Sequence, residues 1–318
     1  MLDSFKIGHF TDEENGTGVT VILSEKGATG GVSVRGSAPA TRETDLLKTE
    51  KTVSLVNSVV LSGGSAFGLE AACGVMEYLK EKNLGYNAGK YNVPIVCGAS
   101  LYDLEYKNFA YPTKEAGYKA ASEAKPNNFL RGIQGVASGS TASKVLGTET
   151  AVKTSLGVQT YSSNKLEIAV ICGVNPLGDI IKDGKIIAGV KDPDGEFLDV
   201  RKVMSGGGLE LKNSNTTIGC ILTNAKLTKL QCNILSDIAH DGLALSISPS
   251  HTLFDGDAIF TLASGEIDIE FNILTALIPG LVARAIQSSV SNIDTENQNR
   301  ISPLLFKFFQ KMWKAKTK

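Results

Sequence analysis

The 318-residue sequence has few cysteines and histidines and no large excess of either charge. None of its five cysteines forms a C-x-x-C pair, which argues against zinc and against a disulfide framework and predicts reduced core residues. None of its three histidines accompanies a motif such as G-x-S-x-G, so structural roles are predicted for them. The 32 basic and 33 acidic residues balance, so no overall field attracts nucleic acid or anionic lipid, and small-molecule partners are expected.

Two kinds of long apolar segment are also missing. The first ten residues include Asp3, Lys6 and His9 and lack the apolar stretch of about 7–15 residues that a signal peptide needs. No apolar run approaches the roughly 18–20 residues that span a bilayer. The sequence therefore predicts a soluble, cytoplasmic protein.

The glycine-rich segments do not match the motifs of nucleotide-binding loops. Gly63-Gly64-Ser65 and the stretch 132–147 match neither G-x-x-x-x-G-K-[ST] nor G-x-G-x-x-G. Both are interpreted as close-packed or pocket-wall turns. No cofactor and no metal are predicted.

Strand patterns alternate with helical ones along the chain. Strands are predicted over residues 18–23, 30–35, 93–97, 154–161, 165–172, 216–223 and 258–263, the first two joined by a glycine-containing turn. Helices are predicted over residues 65–79, 113–124, 227–240 and 269–287. Strands grouped in the first and last thirds, with helices beside them, predict a layered α/β architecture with a mixed sheet.

One junction combines a reactive side chain with a change of structure. The polar stretch 189–213, predicted as an exposed or mobile loop, runs into a strand at Asn215-Thr216-Thr217. A hydroxyl there can attack the preceding carbonyl, and an N-to-O acyl shift followed by hydrolysis would leave Thr216 with a free α-amine. With a pKa of about 7.7–8.0, that amine can act as the base for its own hydroxyl. The tripeptide also fits an ordinary strand start, or a glycosylation sequon in a secreted protein.

A pair of carboxylates precedes a later strand. Asp255-Gly256-Asp257 follows a Pro-Ser-His-Thr approach, and two carboxylates across a glycine can together orient and polarise a hydroxyl or ammonium group. The alternative is a solvated Asp-Gly turn. The segment lacks the EF-hand pattern, so calcium is not favoured.

Six motifs occur in a fixed order and together carry a family resemblance. They lie at residues 61–69 (L-S-G-G-S-A-F-G-L), 93–96 with 102–104, 143–147, 174–175 with 178–179, 215–217, and 240–243 with 255–257. This set resembles the DmpA-type peptidase family, which includes L-aminopeptidase/D-Ala-esterase/amidases, β-peptidyl aminopeptidases and nylon-oligomer hydrolases. The resemblance covers roughly residues 10–290.

The resemblance implies an αββα sandwich like that of DmpA and ornithine acetyltransferase, an N-terminal-nucleophile-hydrolase-like fold. A single catalytic domain, 1–295, would cleave itself into an α fragment, 1–215, and a β fragment, 216–318. A homo-oligomer, a tetramer of such αβ heterodimers, is implied as well. The threonine and the Asp-Gly-Asp segment look closest to the nylon-oligomer hydrolase branch, since the aminopeptidase branch typically has a serine nucleophile with Ser and Glu at the paired positions.

The resemblance also assigns roles around the nucleophile: Tyr102 and Lys144 in the pocket wall, Asn175 as oxyanion donor, and Asp255 and Asp257 as partners of the hydroxyl and amine of Thr216. A side-chain amide is a suitable oxyanion donor, and a lysine can lower the nucleophile's pKa. On residue type alone, Lys144 could instead be a surface lysine at a helix start, and Asn175 a turn residue before Pro176.

The leading interpretation is a self-processing amidohydrolase that cleaves small peptides, β-peptides or ω-amino-acid oligomers. One alternative is an acyltransferase like ornithine acetyltransferase, in which an amine rather than water resolves the acyl-enzyme. The other is an unprocessed, non-catalytic binding protein with the same fold.

The tail, 296–318, lies outside the resemblance, which is expected to end near Val290. From Pro303 onward its apolar residues recur at helical spacing with lysines between them, which predicts a short basic amphipathic helix. Such a helix over 303–318 could contact a membrane or a partner, or dock on its own body or on a neighbouring subunit.

Overall fold

The computed structural model describes residues 2–207, 215–291, 301–303 and 306–307. Its first strands are β1 Lys6–Asp12, β2 Thr17–Val34, β3 Ala40–Arg42, β4 Leu55–Ser62, β5 Tyr86–Asn87, β6 Asn92–Val93, β7 Val96–Ser100, β8 Lys125–Pro126 and β9 Thr141–Ala142. They are followed by β10 Val152–Lys153, β11 Gly157–Ser163, β12 Leu166–Asn175, β13 Asp179–Lys182, β14 Lys185–Ala188, β15 Thr216–Ala225, β16 Ile247–Ser248 and β17 Ala258–Ile267. The α-helices are α1 Ala71–Glu81, α2 Lys114–Ser122, α3 Val200–Ser205, α4 Lys229–Ala244 and α5 Phe271–Ser288.

The long strand β2 joins two halves of one mixed sheet. Its C-terminal part, 29–34, pairs with β17, which continues through β15 and β12 to β11. Its N-terminal part, 17–23, pairs with β1 on one side and with β4 on the other, and β4 continues to β7 and β3. The pairing of β2 with β4 is irregular between Leu23 and Ala28.

Strand alternation sends side chains into separate apolar layers. On β12, Ile168 and Val170 face a core shared with α4 and α5, whereas Ala169 and Ile171 face a central core that also contains residues of β4 and β7. A third core packs Val19 and the outer face of β2 and β4 against α1 and α2. The two halves of the sheet therefore form the two inner layers between the helix pairs α4–α5 and α1–α2, and this order confirms the αββα architecture that the resemblance implied.

Two local predictions are wrong. Residues 18–23 and 30–35 were expected to be two strands joined by a turn, but residues 18–34 belong to the single strand β2, because its two ends pair with different halves of the sheet instead of with each other. The stretch 189–213 was expected to be an exposed or mobile loop, but its part up to residue 207 contains α3, whose Val200 and Val203 are buried with Val145 and Leu177. Residues 208–213 lie outside the described residues.

The expectations for apolar runs and for cysteines need correction too. The helix α5, with a mean hydropathy of 1.2 over 18 residues, is long and apolar enough to cross a membrane. It packs on α4, β11 and β12 and buries Leu274, Ile278 and Leu281, as a core helix does. Four cysteines are buried as expected, but Cys73 is exposed on α1.

The tail is described only in part. Ile301 is buried, and its N–H donates to the carbonyl of Lys191 at 3.0 Å, so the chain contacts its own body at this point. The amphipathic pattern expected over 303–318 lies almost wholly outside the described residues.

Candidate active site

Thr216 lies where three strand ends meet. It is the first residue of β15 and pairs with Asn175, the last residue of β12. On the other side β15 runs parallel to β17, so the residues before both strands share one edge of the sheet, and Asn215 bridges to Asp255. The structure thereby brings together Thr216, Asn175 and the Asp255–Asp257 segment. All of them are buried.

The peptide bond between Asn215 and Thr216 is held from two directions. The Thr216 hydroxyl donates a short hydrogen bond to the Asn215 carbonyl oxygen, and the Gly256 N–H donates to the same oxygen at 3.0 Å. A Cβ on Gly256 would lie 2.9 Å from Thr216 Oγ1 and 2.6 Å from the carbonyl oxygen of Ala38. Only glycine therefore brings the backbone this close to the hydroxyl.

The two aspartates make different contacts beside this bond. Asp257 Oδ1 accepts the Thr217 N–H at 2.7 Å, so it holds the peptide that follows Thr216. Asp255 Oδ2 accepts the Thr252 N–H at 2.8 Å and the Thr252 hydroxyl at 2.7 Å. Burial, and secondarily the charge of Asp257, raises the pKa of Asp255. Buried and hydrogen-bonded, this segment is not a solvated turn.

Asn175 and Lys144 are joined directly. Lys144 Nζ donates to the Asn175 carbonyl at 2.8 Å, Asn175 Nδ2 donates to the Tyr102 carbonyl at 2.8 Å, and Asn175 Oδ1 accepts the Thr141 N–H at 3.0 Å. Burial lowers the pKa of Lys144 to about 7, against an opposing effect of Asp255. Lys144 is therefore no surface lysine, and Asn175 ends a central strand instead of forming a turn.

Tyr102 lines a small pocket with Thr141 and Lys144, and its hydroxyl donates to Glu105 at 3.2 Å. The Gly63-Gly64-Ser65 turn lies behind this wall. The Gly64 N–H donates to Asp103 Oδ1 at 2.6 Å, and a Cβ on Gly63 would lie 2.1 Å from Asp103 Oδ2. The turn therefore supports the residue next to Tyr102.

Sequence reasoning missed two side chains near the site. Lys153 is buried and donates to the carbonyls of Ala137, Ser140 and Thr154 at 2.7, 2.9 and 2.7 Å, and burial lowers its pKa to about 7. His251, for which only a structural role was predicted, lies with its Nδ1 2.7 Å from Asp257 Oδ2. Only the position of His251 just before the aspartate pair could have signalled this contact.

Carboxylates and histidines at one edge of a sheet can bind metals. Here, however, Asp255 and Asp257 accept hydrogen bonds from backbone and side-chain donors on both of their oxygens. Within the part of the chain that the structure describes, no three His, Cys, Asp or Glu residues are grouped to hold a metal ion.

The αββα layers are those of the N-terminal-nucleophile hydrolase fold. The solved L-aminopeptidase D-Ala-esterase/amidase of Ochrobactrum anthropi, described as a variant of that fold, aligns with a TM-score of 0.68 at 13% identity, covering 98% of this chain and 93% of that chain. The profile of peptidase family S58 matches residues 3–307, and the chain belongs to this family. The match continues past Val290, where the family pattern was expected to end.

Two curated relatives align over most of their length. An uncharacterized aminopeptidase of Mycobacterium tuberculosis is 36% identical over 278 residues, which cover 82% of this chain and 78% of the relative. A 6-aminohexanoate-oligomer endohydrolase of Paenarthrobacter ureafaciens is 29% identical over 277 residues, which cover 83% of this chain and 74% of the relative.

Proposed function

We propose that the chain cleaves itself between Asn215 and Thr216 and then uses Thr216 as an N-terminal nucleophile to hydrolyse amide bonds. The observation that carries this proposal is the arrangement at the Asn215 carbonyl, which receives both the Thr216 hydroxyl and the Gly256 N–H. The first supplies the nucleophile next to the bond to be cleaved. The second supplies a donor for the negative charge that develops on the carbonyl oxygen.

Self-cleavage proceeds as an N-to-O acyl shift followed by hydrolysis of the resulting ester. Thr216 Oγ1 attacks the Asn215 carbonyl carbon, and the oxyanion keeps the hydrogen bond from Gly256. The proton that the hydroxyl gives up passes to the Thr216 nitrogen, which then leaves as an amine while the ester forms on Oγ1. The ester on Oγ1 is then hydrolysed by water. The products are a carboxylate on Asn215 and a free α-amine on Thr216.

Turnover repeats this chemistry on an external amide. The α-amine takes the hydroxyl proton and Oγ1 attacks the substrate carbonyl. The protonated α-amine then gives this proton to the substrate's nitrogen, which leaves as an amine, and the acyl group stays on Oγ1 as an ester. Gly256 N–H and the second N–H of Asn175 Nδ2 are the donors offered to the oxyanion, since the first N–H is bonded to Tyr102. Lys144 has a pKa of about 7, so its side-chain amine can gain or lose a proton near neutral pH. Water then releases the acyl group.

The proposed substrates are small peptides, β-peptides and ω-amino-acid oligomers. Two relatives support this choice: an aminopeptidase by name, and an endohydrolase that acts on 6-aminohexanoate oligomers. Incubation with L-alanyl, β-alanyl and 6-aminohexanoyl amides, analysed by mass spectrometry, tests it. Free acid as the product supports hydrolysis, whereas transfer of the acyl group to added ornithine would identify an acyltransferase instead.

Intact mass under denaturing conditions tests the central step. Wild-type protein should yield fragments 1–215 and 216–318, and Thr216→Ala a single chain. Thr217→Val is the matched control, because it removes the neighbouring hydroxyl, which is buried and has no hydrogen-bond partner among the described residues. A wild-type chain that stays intact on prolonged incubation refutes self-cleavage and favours a binding protein.

A further inference from the structure

The histidine before the aspartate pair contacts a carboxylate that holds the nucleophile's strand. His251 and Asp257 lie 2.7 Å apart, Nδ1 to Oδ2, and Asp257 Oδ1 accepts the Thr217 N–H at 2.7 Å. An ionised carboxylate only accepts hydrogen bonds, so Nδ1 carries the proton and donates. Each oxygen of Asp257 thus has its own donor, one from the ring and one from the peptide next to Thr216.

A second histidine packs against this ring. The ring centroids of His240 and His251 lie 4.9 Å apart at an interplanar angle of 66°. His240 Nε2 lies 3.0 Å from the Ser33 carbonyl oxygen, which can only accept, so Nε2 holds the proton of His240. This bond anchors His240 to β2, and His240 in turn restricts the His251 ring.

The backbone at His251 has an unusual conformation, and the next residue also contacts the aspartate pair. His251 has a φ of +55°, a left-handed conformation that is uncommon outside glycine and persists where surrounding contacts hold it. The next residue, Thr252, binds Asp255 through its N–H and its hydroxyl. Two consecutive residues therefore hold the two aspartates separately.

We infer that His251 is a positioning residue for the self-cleavage and the amide hydrolysis proposed above, and the inference rests on that proposed function. By donating from Nδ1, it fixes the rotation of the Asp257 carboxylate, so that Oδ1 stays bonded to the Thr217 N–H. This contact in turn sets where the Thr216 hydroxyl, and later its α-amine, lies relative to Asn215 and Gly256. His251 acts through Asp257 and exchanges no proton with the substrate.

Three substitutions of His251 distinguish this positioning role from simple packing, because they differ in where the side chain carries an N–H donor. In His251→Asn the side-chain amide places an N–H near the Nδ1 position, in His251→Gln it places one near the Nε2 position, and His251→Leu has none. We expect the Leu and Gln variants to slow self-cleavage at least about tenfold and the Asn variant to stay within about threefold of wild type. The rate is read as the intact-mass time course from freshly refolded chain, which needs no external substrate.

Two further variants serve as controls. His9→Asn removes a part-buried histidine whose Nδ1 lies 3.0 Å from Thr20 Oγ1 on β2, far along the chain from the aspartate pair, and it should cleave at the wild-type rate. In an Asp257→Asn background, His251→Leu should cause no further slowing, because the two side chains act as one unit. Melting temperatures of all variants in the Thr216→Ala background report folding separately.

The outcomes separate this inference from the proposed function. If wild-type protein does not cleave itself, the proposed function fails first. If wild type cleaves and His251→Leu cleaves equally fast, the inference alone is overturned. Equal slowing by Asn and Gln would also overturn it. Because residue 251 has a left-handed backbone that Asn accepts more readily than Gln, a difference in rate supports the inference only where the two variants have similar melting temperatures in the Thr216→Ala background.

Discussion

The backbone N–H of Gly256 donates a 3.0 Å hydrogen bond to the carbonyl oxygen of Asn215. The two residues are far apart in the chain and meet because β15 and β17 run parallel, which aligns the segments that precede them. A backbone donor needs no side-chain reorganisation when charge develops on the oxygen. The contact therefore links the topology of the sheet to the proposed chemistry.

Gly256→Ala should slow self-cleavage. The added Cβ would lie 2.9 Å from Thr216 Oγ1 and 2.6 Å from the Ala38 carbonyl oxygen, so the 256 N–H or the hydroxyl must move. We expect a rate loss of at least about tenfold, because one misplaced oxyanion donor typically costs that much or more. Intact mass against time measures it. Gly280→Ala, whose Cβ meets only the flexible Arg284 side chain, is the control, and equal rates for the two variants would contradict this explanation.

Lys144→Met should reduce the pH dependence of stability. The pKa of Lys144 falls from 10.5 in the unfolded chain to about 7 in the folded protein, so between these values the unfolded state binds a proton that the folded state does not. Stability therefore rises with pH across that window and is lost as pH falls toward 7. In the Thr216→Ala background, we expect Lys144→Met to lower this slope by on the order of 1 kcal/mol per pH unit.

Urea unfolding at several pH values between about 7 and about 10 measures this slope. The parent and the variant share every other titrating group, including Lys153, so their difference isolates Lys144. An unchanged slope would mean that Lys144 stays protonated in the folded chain.

Lys153→Met should destabilise the fold. It removes the donor shared by the carbonyls of Ala137, Ser140 and Thr154 and leaves them buried without this partner. The Ala137 carbonyl also accepts from the Ser140 hydroxyl at 3.1 Å and the Ser140 carbonyl from the Thr154 N–H at 3.2 Å, so among the described residues only the Thr154 carbonyl loses its donor. We therefore expect a loss of about 1–3 kcal/mol in the free energy of unfolding. Urea unfolding in the Thr216→Ala background measures it beside Lys80→Met, an exposed control. Similar losses of unfolding free energy in both variants would show that Lys153 does not stabilise the fold through these carbonyls.

One thiol should react in the native protein. Cys73 is exposed, whereas burial raises the pKa of Cys97, Cys172 and Cys232 to about 12 and also raises that of Cys220 well above its usual value. Titration with a chromogenic disulfide should show one fast thiol in native protein, none in Cys73→Ser, and all five of the wild-type thiols after denaturation. More than one fast native thiol would show that the core opens at one of the buried positions.

Much of the fold and site could be predicted from the sequence because the relevant signals are local. The strand beginning at Thr216 and the strand after Asp257 follow from β-branched and apolar runs next to polar segments. The motifs near residues 61–69, 143–147 and 215–217 keep their order, and this indicated the family to which the chain belongs. Residue type identified a hydroxyl and a pair of carboxylates as chemically suitable, and the family resemblance added the side-chain amide of Asn175.

Only the tertiary structure decided how these groups act on one another. Whether residues 18–34 form two strands joined by a turn or one continuous strand depends on pairing with β17 and β4, which are distant in the chain, and no local pattern encodes that choice. Lys144 looks like any surface lysine until burial beside Asn175 lowers its pKa. His251 has no signature apart from proximity to Asp257. The amino-acid sequence thus determined which chemical groups are present, whereas long-range strand pairing and burial determined their partners and their protonation.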